Sequence, residues 1–68
     1  MIATVSPSQI NAITDMVDAV LDVRGLSESD VTRIISIAAG VSVELHEYDD
    51  LTVSQADAVI NALEIELN

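Results

Sequence analysis

His46-Glu47-Tyr48-Asp49-Asp50 gathers, in five consecutive positions, every side-chain type here that binds a metal or moves a proton. A metal centre takes three or four ligands that converge from different directions, each held by its own hydrogen bonds, whereas consecutive side chains diverge. The stretch is therefore read as a solvated polar turn. His46 is the only histidine and there is no cysteine, which removes thiolate zinc sites, disulfides and a Cys nucleophile. No Ser, His and Asp fall in a triad-like order, and no glycine-rich phosphate loop is present. Asp49-Asp50 resembles a calcium loop in composition only. The expectation is a protein that is not an enzyme, with no catalytic residue, no metal and no cofactor.

The other chemistry on offer is charge. Asp15, Asp18 and Asp22 stand three and four residues apart, which on a helix places neighbouring side-chain origins about 5–6 Å from one another. Asp57 and Glu64 extend a similar row near the carboxyl end. Carboxylates at that spacing resemble successive phosphates of a nucleic-acid strand, so such a face could occupy the DNA groove of a nuclease, a restriction enzyme or a CRISPR complex. Any acidic amphipathic helix shows the same row. Twelve Asp or Glu oppose only Arg24 and Arg33, for a formal net charge of −10 and no lysine. Direct nucleic-acid binding is excluded as a function class, because that affinity rests on Lys and Arg displacing counterions, and an anionic membrane surface is disfavoured alike. The excess charge also keeps a small apolar chain in solution.

These residues must be positioned by elements, and three start signals set them out. Ser6-Pro7-Ser8-Gln9 is a capping box, with Pro7 at the first helical position and Val5 and Ile10 placed as a hydrophobic staple. Ser27-Glu28-Ser29-Asp30 repeats it with Leu26 and Val31, and Thr52-Val53-Ser54-Gln55 with Leu51 and Ala56. Gly25 and Gly40 supply stops. The spacing predicts helices over about Pro7 to Arg24, Glu28 to Ala39 and Val53 to Leu67. The fold class expected is all-α, a compact three-helix domain over residues 1–68 with a short irregular segment between the second and third helices. In that segment Val41, Val43 and Leu45 alternate like a strand, but a lone strand has nothing to pair with. A turn or short helical piece is expected, with Leu45 and Leu51 under the bundle.

At about 100° per residue, Ile10, Ile13, Val17, Val20 and Leu21 share one side of the first helix, with Asn11, Asp15, Asp18 and Asp22 opposite. Val31, Ile34, Ile35 and Ala38 do the same for the second, and Ala56, Val59, Ile60, Leu63 and Leu67 for the third. Half of the residues are apolar but none is Phe or Trp, so the core is expected to be Ile, Val, Leu, Ala and Met. Apolar positions are left over. Ala12, Met16, Ala19 and Val23 flank the core face of the first helix, and Ala58, Ala62 and Ile65 form a strip on the third. They are read as a partner-binding surface, for another protein or a second copy of the chain as a homodimer. No apolar run reaches the roughly 20 residues of a membrane span and the Met-Ile-Ala-Thr-Val start has no basic flank, so the expected location is cytoplasmic.

Taken in order, "S-x-x-Q-I-x-x-I", "RGLSESDVTRII" and "DLTVSQADAVINAL" resemble a small helical segment at the carboxyl end of phage recombination proteins of the single-strand-annealing kind. The resemblance covers most of the chain and rests on caps and apolar positions. It implies a docking module that recruits a nuclease or single-strand-binding protein, with Leu51, Gln55, Ala56, Ile60 and Leu63 as structural residues of the motif helix. The absence of lysine departs from the pattern and moves the reading toward protein contact alone. The function expected is a small non-enzymatic adaptor in phage-type DNA recombination or replication. The alternatives are a DNA-mimic decoy that inhibits a host defence enzyme, and a self-assembling structural protein.

Overall fold

The computed structural model describes residues 3–68. Three helices follow in chain order: α1 (Pro7–Val23), α2 (Glu28–Ala39) and α3 (Val53–Leu67). No strand occurs among the described residues, so the fold is all-α with three helices. All three capping boxes close in both directions. The Gln9 N–H donates to Ser6 Oγ at 3.2 Å and Ser6 N–H to Gln9 Oε1 at 3.0 Å. Asp30 N–H donates to Ser27 Oγ at 3.2 Å and Ser27 N–H to Asp30 Oδ2 at 3.4 Å. For Thr52 and Gln55 the corresponding distances are 3.1 and 2.9 Å. The α1 helix ends one residue before the predicted Arg24, which adopts the αR cap, and Gly25 follows at φ +66°. Gly40 ends α2 at φ +75°, a conformation that only glycine adopts without strain.

The middle of the assembly is α3. Both α1 and α2 pack along it and touch each other little. Ile13, Val17 and Val20 of α1, Val31, Ile35 and Ala39 of α2, and Ala56, Val59 and Leu63 of α3 are buried. Ile10, Leu21, Ile34, Ala38, Ile60 and Leu67, expected in the core, lie half-buried at its margin. Each fully buried aliphatic side chain contributes about 1.5–3 kcal/mol relative to exposure. The accessible surface is 4247 Å², close to the roughly 4,100 Å² that a folded monomer of this mass exposes.

Residues 41–51 form two successive turns rather than a strand or a helical piece. Glu47 N–H donates to the Glu44 carbonyl at 3.1 Å and Leu51 N–H to the Tyr48 carbonyl at 3.2 Å. His46 takes φ +69° in the first turn, a left-handed position. The partner that a lone strand would lack is a side chain. Ser36 Oγ of α2 accepts from Val43 N–H at 3.0 Å and donates to the Val43 carbonyl at 3.3 Å, so one hydroxyl satisfies both backbone groups. Val43 and Leu51 are buried and Leu45 half-buried.

The reading of residues 46–50 as a wholly solvated turn is corrected at Tyr48. It is only 2% exposed and belongs to the core, which is therefore not purely aliphatic. It stands where the first turn ends and the second begins, and its ring is buried with the aliphatic core. The amino-terminal segment also docks: Thr4 and Thr52 form an antiparallel bridge, with Val5 N–H to Leu51 O at 2.9 Å and Val53 N–H to Ala3 O at 3.0 Å.

Candidate functional site

The two glutamines of the capping boxes do more than close a helix end. Having given its oxygen to Ser6, Gln9 uses Nε2 to reach the Val53 carbonyl at 3.2 Å and Asp57 Oδ1 at 2.9 Å, which holds the first turns of α1 and α3 side by side. Gln55 Nε2 donates to the Ala39 carbonyl at 3.2 Å, joining the end of α2 to the start of α3. That second contact also sets the negative end of one helix dipole against the positive end of another. Asp30, in the middle box, has no amide to spare and bridges nothing. The similarity between the first and third starts thus reflects two interhelical joints.

On this frame the predicted partner-binding residues divide. Ala12, Met16 and Ala19 of α1 are half-buried, and Met16 packs against the core. Ala58 and Ala62 of α3 are half-buried as well. Val23 and Ile65 stand out in solvent, 70% and 72% exposed. They lie in the later part of the two helices whose first turns are joined. Two further aliphatic residues are exposed that the strips did not include, Ile37 at 74% and Val41 at 47%. A signal for Ile37 was available, since at about 100° per residue it falls well off the Val31, Ile35 and Ala38 face.

The acidic rows are on the surface. Asp15, Asp18 and Asp22 are all exposed on the side of α1 turned away from the core. Asp57 is exposed too, but its carboxylate is engaged with Gln9, so it helps to hold the α1 and α3 joint. Glu64, seven residues on, is exposed along the same side of α3.

The turns create two hollows that share Glu44. One, of about 180 Å³, is lined by Val41, Ser42, Val43, Glu44, Glu47, Asp50 and Leu51. The other, of about 440 Å³ and more open, is lined by Glu28, Thr32, Glu44, Leu45 and His46. The Glu47 carboxyl is raised above the ordinary carboxylate value, first by a hydrogen bond with Glu44 and then by the Glu44 charge, with smaller contributions from desolvation and from Asp50. Like charges this close, with no cation among the lining residues, mark a place short of positive charge. Among the described residues, no three of His, Asp and Glu converge as a metal ion requires, and no helix is long and apolar enough to cross a membrane.

No protein-family model, curated protein or solved structure matches this chain.

Proposed function

We propose that this chain is a small, acidic, non-enzymatic protein-interaction module of the cytoplasm, an adaptor of the phage type that works in DNA recombination or replication. The observation that carries the docking role is the pair Val23 and Ile65, large aliphatic side chains held in solvent on two joined helices and outside the buried core. Exposed aliphatic residues of that size gain by being covered, at about 25 cal/mol per Å² buried. The assignment to recombination rests on the order of caps and apolar positions along the chain. A second reading has its own observation. Asp15, Asp18 and Asp22 are exposed on one face of α1, as a decoy of DNA phosphates requires.

The two readings differ in salt dependence. Wild type, Val23→Asp/Ile65→Asp and Asp15→Asn/Asp18→Asn/Asp22→Asn are used to capture proteins from bacterial lysate at 50 mM and 500 mM NaCl, alongside sedimentation equilibrium of each. The adaptor reading expects a single-strand-binding protein or nuclease that is retained at high salt and lost from the Val23/Ile65 variant. A DNA-binding enzyme released by salt and by the triple Asn variant would establish the decoy instead. A dimer mass that the Val23/Ile65 variant reduces to a monomer, with nothing else captured, would replace both by self-assembly. Met16→Glu is unsuited to this test, because Met16 packs on the core and its loss would unfold the surface being probed.

A further inference from the structure

The second pair of exposed aliphatic residues lies elsewhere in the fold and in different company. Ile37 is on the last turn of α2, and Val41 follows the left-handed Gly40 and forms one wall of the smaller hollow, whose lining also includes Val43 and Leu51. An apolar face alone says nothing of what covers it; the remaining lining does. Glu44, Glu47 and Asp50 edge that hollow and Glu28 the adjoining one, while neither Arg24 nor Arg33 lines either. His46, neutral in the formal count at pH 7, is the one basic side-chain type present.

We propose that this end of the molecule docks a segment of another protein that presents aliphatic side chains together with Lys or Arg. The aliphatic groups would cover Ile37 and Val41, and the cationic heads would lie over Glu44, Glu47 and Asp50. Charge complementarity selects this occupant. A second copy of the chain carries a net charge of −10 with two arginines and would set carboxylate against carboxylate. An apolar segment without cations would draw nothing from Glu44, Glu47 and Asp50. A long basic side chain suits such a site because its methylene stem lies on apolar surface while its head meets the carboxylates. The inference rests on the reading of the chain as an interaction module but uses a surface separate from Val23 and Ile65.

The test is fluorescence anisotropy with a labelled peptide of three Leu-Arg repeats, together with amide-shift mapping of the ¹⁵N-labelled full chain. A peptide of three Leu-Glu repeats is the control. Binding is expected with shifts centred on residues 37–51, and Glu44→Gln/Glu47→Gln is expected to lower affinity at least about tenfold. Asp15→Asn/Asp22→Asn removes the same charge from a distant face and is expected to change affinity less than about twofold. Equal losses in the two pairs would reduce the effect to diffuse attraction and overturn the proposal, as would shifts centred on Val23 and Ile65 or no binding at all. Ile37→Ser/Val41→Ser should weaken the binding that survives at 500 mM NaCl; no change there would leave the apolar part without support and overturn it. The Val23→Asp/Ile65→Asp variant should bind the peptide normally, so that failure of the adaptor surface and failure of this one are separately visible.

Discussion

A tyrosine hydroxyl taken out of water without a partner costs about 1–3 kcal/mol, and Tyr48 Oη is in that condition. Its ring is buried with the core, and the His46 backbone amide lies near its oxygen without forming a full hydrogen bond. Burial raises its pKa above the ordinary value near 10, the Asp18 charge adds to the rise, and the nearby His46 backbone amide opposes it. Tyr48→Phe is therefore expected to stabilise the chain by about 1 kcal/mol in urea denaturation at pH 7. The pH dependence has a definite sign. Between the unfolded and folded pKa values the native state holds a proton that the unfolded state has lost, so the contribution of Tyr48 to stability is constant below about pH 10 and is lost as pH rises beyond it. The Phe variant should lose that slope, and a slope of equal size in both proteins would show that Tyr48 is not its source. Tyr48 was not legible as a core residue because four polar neighbours surround it. Only the two turns, and the Ser36 hydroxyl that fixes Val43, aim it inward.

Helix starts are local events, which is why Ser6, Ser27 and Thr52 could be placed from sequence, each with its acceptor or donor three residues on. What the local pattern does not contain is the use of the spare amide. Gln55→Glu keeps the oxygen that receives Thr52 N–H but loses the donor to the Ala39 carbonyl and sets two acceptors face to face. The expected outcome is unchanged helicity by circular dichroism with a loss of about 1–2 kcal/mol in stability. If Gln55→Glu unfolds at the wild-type urea midpoint, the joint between α2 and α3 contributes nothing. The strips on α1 and α3 illustrate the same limit. Periodicity placed Ala12, Met16, Ala19, Ala58 and Ala62 beside the core, and their half-burial follows from α3 lying between two helices, a relation that no single helix pattern records.

For the whole molecule the strongest influence outside the core is self-repulsion. A net charge of −10 with no lysine opposes compaction, and salt screens it over about 10 Å at 0.1 M. Stability is expected to increase from 10 mM to 500 mM NaCl by urea titration, in contrast to a fold held by surface ion pairs. It should also increase as pH falls from 7 toward the raised Glu47 value. There the folded state takes up a proton before the unfolded state does, so stability is lost as pH rises through that window. Glu47→Gln should flatten that dependence; an unaltered pH profile would place the proton elsewhere.

Residue order alone was enough to set the elements: three helices with their caps and stops, the inward faces centred on Ile13, Val17, Ile35, Val59 and Leu63, and a net charge of −10. Each of these depends on residues within a turn or two of one another, or on a sum over the chain. The central place of α3, the glutamine joints and the Thr4 and Thr52 bridge emerged only with the packed fold. So did the burial of Tyr48 and the exposure of Val41, whereas Val23 and Ile65 already stood among the apolar positions left over in the sequence. Those features require groups far apart in the chain to meet, and the residues that meet carry no local mark of their partner.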